Sequence, residues 1–137
     1  MKIICVCTGN TCRSPMAAAL LQRLLPGAEV SSAGLYAEEG MPASRHALLA
    51  MDEMGLDISA HRARRFRPEM AEGALLLAMT RAHARALRGM CPGARVELFL
   101  GDEDVPDPFG QGMEAYERTA QVLTEGAAAL AKRLNMR

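Results

Sequence analysis

No sign of charge predominates in this 137-residue chain: 16 Lys and Arg stand against 16 Asp and Glu. Proteins that neutralise nucleic-acid phosphates usually carry a clear basic excess, so the balance argues against nucleic acid as the main partner. No apolar run approaches the roughly 20 residues that a membrane span requires. The opening MKIICVC is too short an apolar stretch for a secretion signal. Internal repeats, low-complexity tracts and interdomain linkers are all missing. The four cysteines lack the spread of a disulfide framework, because Cys5, Cys7 and Cys12 crowd into eight residues and Cys91 stands far away. These absences leave the expectation of one domain over residues 1–137, in the cytoplasm with its thiols reduced, and monomeric.

What is present alternates between short apolar runs and longer amphipathic ones. KIICVC (2–7) reads as a buried strand, residues 14–25 as a helix ended by Pro26-Gly27, and EVSSAG (29–34) as a second strand. A helix over 43–54 stops at Gly55, and a single helical turn opens at Pro68 and closes at Gly73. ALLLAM (74–79) is a continuous apolar run, as expected of a central parallel strand. Thr80 caps the next helix, which the sequence ends at Gly89, and RVELFL (95–100) makes a fourth strand. In the last helix Tyr116, Ala120, Leu123, Ala127, Leu130 and Leu134 recur at helical spacing. The alternation predicts an α/β three-layer sandwich with a four-stranded parallel sheet flanked by helices. Ligands of such folds bind beyond the carboxyl ends of the strands, where the loops at 7–13 and 101–112 should meet.

The first of those loops, CTGNTCRS, joins a strand to a helix. Its backbone N–H groups, from Thr8, Gly9, Asn10, Thr11 and Cys12 to Arg13 and Ser14, can curl around a tetrahedral oxyanion. The helix N-terminus adds partial positive charge, and Arg13 adds a planar fork able to grip two phosphate oxygens. Gly9 would permit the curl and Asn10 would pin it through its amide. Such fields favour a thiolate at Cys7, with Ser14 donating to the sulfur. The bland alternative for Cys7 is a small buried hydrophobe, and a Cys7/Cys12 metal site lacks its second pair of ligands. The acidic loop offers Asp102, Glu103, Asp104 and Asp107. Asp107, restrained by Pro108 and beside the ring of Phe109, is the best-placed general acid, unless the loop is only a solvated turn. His61, Arg62, Arg64, Arg65 and Arg67 read either as a solvated basic face or as a docking patch for acidic or phosphorylated partners, and His61 on its own reads as a surface histidine.

VCTGNTCRSPMA together with the late DPFG resembles the low-molecular-weight protein tyrosine phosphatases, and SSAG (31–34), ISAHRAR (58–64) and LAMT (77–80) extend the resemblance along most of the chain. It implies a covalent phosphocysteine intermediate, phosphorylated protein substrates, and neither metal nor cofactor. By position, Cys7 would be the nucleophile, Arg13 the phosphate grip and Asp107 the acid and then base. Asn10, Ser14 and His61 would shape the loop. Cys12 matches a family cysteine that can form a protective disulfide with the nucleophile, or it is a spectator.

Thr11 stands where tyrosine-specific members carry an aliphatic residue, and Phe109 is followed by Gly110 rather than a second aromatic. Both features look like the bacterial protein-arginine phosphatases of the family. A hydroxyl-bearing wall suits a polar guanidino group, whereas a phenyl ring gains from apolar walls. Phosphoarginine is therefore the expected substrate, with phosphotyrosine the alternative. Arsenate reduction would need a relay cysteine close to Cys91, and a non-catalytic phosphate-binding module would lack either Cys7 or Asp107. A redox-sensor role could coexist with catalysis.

Overall fold

All five residues of Ala74–Ala78 are buried, which requires a strand covered on both faces. The structure, a computed structural model, describes residues 1–135 and meets that requirement with a parallel sheet in the order β2-β1-β3-β4. The strands are β1 (Lys2–Cys7), β2 (Glu29–Gly34), β3 (Ala74–Ala78) and β4 (Arg95–Leu98). The helices are α1 (Arg13–Leu24), α2 (Arg45–Glu53), α3 (Arg81–Met90) and α4 (Met113–Asn135), with a 3₁₀ turn at Pro68–Ala71.

Side chains alternate across the pleat and separate two cores. Ile3, Cys5, Leu75 and Leu77 face α1, α2 and α4, meeting Met16, Leu20, Leu123 and Leu130. Ile4, Val6, Leu76 and Ala78 face α3, meeting Ala84 and Leu87, with Phe66 from the preceding loop. Each fully buried Leu or Ile is worth about 1.5–3 kcal/mol. No helix among the described residues is long and apolar enough to cross a membrane.

The sequence boundaries shift in instructive ways. Gly89 does not end α3, which continues to Met90, because a helical glycine without positive φ is only a weak interruption. β4 stops at Leu98 rather than 100: the Phe99 N–H still bonds the Ala78 carbonyl, but its ring turns into the core. Gly55 does close α2, at φ +77°. The Ser44 hydroxyl caps the start of that helix by accepting from the Ala47 N–H.

From β1 the chain steps to β2 on one side, then crosses to β3 on the other. The reversal opens a crevice at the carboxyl ends of β1 and β3, the switch point where open α/β sheets hold ligands. Cys7 is the last residue of β1, so the cysteine loop starts in that crevice.

Candidate active site

Residues 7–13, with Asp107 and Phe109, line a cavity of about 200 Å³. A larger open groove of about 630 Å³ between α3, β4 and α4 is lined by no cysteine, whereas the smaller cavity is lined by Cys7 and Cys12. The loops at 7–13 and 101–112 thus meet as their places in the sheet require. Backbone N–H groups of Gly9, Thr11 and Cys12 donate to no protein acceptor among the described residues, which leaves them available to an anion.

The curl of the loop is set at Asn10 rather than at Gly9. Asn10 has φ +58° and no exposed surface, whereas the φ of Gly9 is not in the left-handed region. Asparagine tolerates that region because its short amide bonds locally. Here the amide is fully engaged: Nδ2 donates to Ser14 Oγ and Ser32 Oγ, both at 2.9 Å, and Oδ1 accepts the Arg64 N–H at 3.0 Å. The Asn10 carbonyl accepts from His61 Nε2 at 2.7 Å, which fixes the proton on that nitrogen. Burial pushes His61 below its ordinary pKa, with the Arg62 charge adding to the shift and the bond to Asn10 opposing it. His61 is therefore half-buried in the loop network, not a free surface histidine.

The Asn10 N–H and the Ser14 hydroxyl converge on the Cys7 sulfur. The Asn10 N–H lies at 3.3 Å and Ser14 Oγ at 2.9 Å. Because Ser14 Oγ accepts from Asn10, its own proton is free to point at the sulfur, the arrangement that stabilises sulfur leaving as an anion. Arg13 is buried, with Nη1 donating to the Val105 carbonyl at 3.2 Å and Nη2 3.4 Å from Asp107 Oδ2. Asp107 itself is 52% exposed, and its Oδ1 accepts the Phe109 N–H. Of the other acids, Asp104 is bound by the Arg81 backbone and guanidinium, chiefly the former, which hold its carboxyl below the usual range. Asp102 and Glu103 are exposed and do not line the cavity.

Cys12 lines the cavity as a free thiol, as does Cys7. Its sulfur contacts Tyr116 Oη at 3.3 Å and Ser44 Oγ at 3.4 Å. Burial, reinforced by the Cys12 contact, pushes the Tyr116 phenol up to about 12, so it stays protonated. Burial also raises the Cys5 thiol, which leaves it an inert strand residue. Within the basic cluster, Arg64 turns inward to the Ser32 carbonyl and Ser31 Oγ, while Arg62, Arg65 and Arg67 remain exposed.

Two residues that shape the site escape sequence reading. Gly34 admits no side chain: a Cβ there would lie 2.6 Å from the Thr8 carbonyl oxygen and 3.0 Å from the Asn10 Cβ. His83 bridges the crevice, with Nε2 2.8 Å from Thr8 Oγ1 and Nδ1 2.9 Å from Thr80 Oγ1. Burial first, then the Arg13 charge, lower its pKa to about 4, while Asp107 and Asp104 oppose the shift. Nothing in local spacing signals either residue, because both contacts join elements far apart in the chain.

This geometry, a cysteine under a curled anion-binding loop with a buried arginine and a facing carboxylate, coincides with a family match over residues 2–137. The matching family is described as low molecular weight phosphotyrosine protein phosphatase. The chain belongs to that family and is a cysteine-dependent protein phosphatase. It is 42% identical to a protein-arginine-phosphatase of Geobacillus stearothermophilus, over 97% of this chain and 95% of the relative. It is 39% identical to the probable low molecular weight protein-tyrosine-phosphatase EpsP of Ralstonia solanacearum, over 96% and 94% of the two chains. The solved YwlE arginine phosphatase from Geobacillus stearothermophilus superposes with a TM-score of 0.93 at 40% identity, covering 98% of this chain and 93% of the other.

Two outcomes follow from the site's support. Gly34→Ala forces the β2 end away from Thr8 and should cost about 1–3 kcal/mol in urea unfolding, with phosphatase activity falling alongside; unchanged stability would refute the close approach. The His83 pKa is depressed in the folded state from its ordinary 6.5 to about 4. The unfolded chain therefore takes up the proton first. The contribution is full above pH 6.5 and is lost as pH falls toward 4. His83→Gln, which cannot titrate, should close the stability gap to wild type across that window in melts at stepped pH.

Proposed function

We propose that this phosphatase hydrolyses phosphoarginine in proteins through a phosphocysteine intermediate. The observation that carries the reading is Thr11, a hydroxyl-bearing side chain in the cavity wall with Arg13 and Asp107. The 42% identical relative named as a protein-arginine-phosphatase supports it.

In this reading the loop N–H groups and Arg13 hold the phosphoryl group over Cys7. The sulfur attacks phosphorus as the P–N bond breaks, and Asp107 protonates the departing guanidino nitrogen. A water then attacks the phosphocysteine, giving its proton to the Asp107 carboxylate. The S–P bond breaks, the sulfur leaves into the bonds from Ser14 and the Asn10 N–H, and inorganic phosphate is released. A phosphate in the cavity would take over the Arg13 donors that now face Val105 and Asp107. Asn10, Ser14 and His61 keep the loop in shape, and Phe109 flanks the mouth with its ring 73% exposed.

The reading extends to a single domain acting as a monomer in the cytoplasm on phosphorylated protein substrates, without metal or cofactor. A reversible Cys7–Cys12 disulfide would silence it, and Cys12 would first have to leave Tyr116 and Ser44.

The test is hydrolysis of matched phosphoarginine and phosphotyrosine peptides. Wild type should prefer phosphoarginine, and Thr11→Ile should move the preference toward phosphotyrosine by about tenfold or more. Cys7→Ser should abolish turnover, and Asp107→Asn should lower kcat about 10²–10⁴-fold. Wild-type preference for phosphotyrosine would make Thr11 incidental, and undiminished turnover by Cys7→Ser would end the mechanism.

A further inference from the structure

Three side chains span the crevice between β1 and β3 without entering the reaction described above. Thr80, which caps α3, accepts the His83 backbone N–H at 3.1 Å, and its Oγ1 lies 2.9 Å from His83 Nδ1. The other ring nitrogen, Nε2, lies 2.8 Å from Thr8 Oγ1, on a residue 75 positions away. Thr8 is the first residue of the cysteine loop and lines the 200 Å³ cavity. Its carbonyl is held separately by the Tyr36 N–H at 2.9 Å.

We propose that Thr8 is a second specificity-determining hydroxyl, acting with Thr11, and that His83 is the positioning residue that fixes its rotamer toward the leaving group. The inference rests on the phosphoarginine reading. The ring is 7% exposed and bonded at both ends, so it cannot swing without breaking two hydrogen bonds. Thr8 and Asp107 line the same cavity, so a leaving group that takes its proton from the acid there also meets the Thr8 hydroxyl.

A guanidino leaving group carries several N–H donors, and a phenolic oxygen carries none once esterified. Thr8 Oγ1 has two lone pairs. If Nε2–H donates to it, one lone pair remains for the substrate; if Thr8 donates to Nε2, both remain. Either tautomer leaves Thr8 an acceptor, provided the ring holds it in place. Thr8 and Thr11 would then offer acceptors from two places in one loop. A hydroxyl that pairs a substrate N–H favours only a substrate that carries one, and Thr8, being exposed, is left to water by any other.

The experiment compares kcat/KM on two peptides of identical sequence, one bearing phosphoarginine and one phosphotyrosine. Thr8→Val keeps the shape and removes the hydroxyl, and with it the bond to His83 Nε2. It should lower the ratio of kcat/KM on phosphoarginine to that on phosphotyrosine by about tenfold, through a hydrogen bond to a charged group. His83→Leu should reproduce that selective loss, and His83→Gln, which keeps a polar atom near Nε2, should restore most of it. In a Thr8→Val background, His83→Leu should change the substrate ratio no further. Equal losses on both peptides, or no loss, would overturn the assignment. If His83→Leu fails to fold, Thr8→Val and His83→Gln still decide it. A wild type that prefers phosphotyrosine would overturn the arginine reading and this inference together. A wild type that prefers phosphoarginine, with its ratio unmoved by Thr8→Val, would overturn this inference alone.

Discussion

The left-handed backbone of Asn10 is the constraint on which the cavity depends. At φ +58° the chain reverses over Cys7 and brings its own N–H to the sulfur. That conformation is held by five hydrogen bonds, reaching Cys7, Ser14, Ser32, Arg64 and His61. The partners come from β1, α1, β2 and the 58–64 segment, so one buried residue, through its backbone and its amide, ties four parts of the chain to one loop. Each buried donor or acceptor stranded by its loss would cost about 1–3 kcal/mol. Glycine would reach the same φ more easily but could not make the side-chain bonds. Here pinning matters more than freedom.

The rest of the site divides by exposure. Cys7, Asn10, Arg13 and Ser14 are buried and lie at the junction of β1 and α1, where sheet and helix hold them. Asp107 sits on a loop and is half exposed. The division suits the chemistry proposed. Phosphate binding and sulfur attack need fixed geometry. The proton carrier must meet a leaving group first and a water afterwards, and loops on a rigid scaffold supply that access. The 3.4 Å contact between Asp107 and Arg13 couples the two halves across the mouth.

The parts legible in the sequence were those written locally. CTGNTCRS between an apolar run and a helix, the ALLLA strand and Thr80 ahead of a helical run are each decided by residues within a few positions, and the structure realises them. The sequence misassigned the turn of the loop to Gly9 because glycine is the usual solution, and only the bonds from Ser32, Arg64 and His61 reveal why Asn10 carries it. Gly34 and His83 were invisible for a related reason. Each matters because of an atom on another strand or loop, and no spacing rule encodes that a Cβ at Gly34 would fall 2.6 Å from the Thr8 carbonyl oxygen. The basic cluster at 61–67 likewise reads as one patch in one dimension, yet His61 and Arg64 turn inward while their neighbours face water.

Substrate choice can vary in such a scaffold at little structural cost. In the proposed chemistry the phosphate is held by backbone, one arginine and a helix terminus, none of which distinguishes one phosphorylated side chain from another. Distinction falls to the side chains on the walls, and these are not what hold the loop. Thr11 shows the separation: its carbonyl accepts the Ser44 N–H at 2.9 Å, a bond that any residue at that position could keep. Its side chain makes only a distant 3.8 Å contact with the Cys12 sulfur. An exchange of threonine for an aliphatic residue there changes the wall and leaves the anchor. Thr8 is the contrasting case, because its hydroxyl is committed to His83. Replacing it alters the wall and also strands a ring nitrogen in the crevice, so a switch of specificity at Thr8 calls for a matching change on α3, whereas one at Thr11 does not.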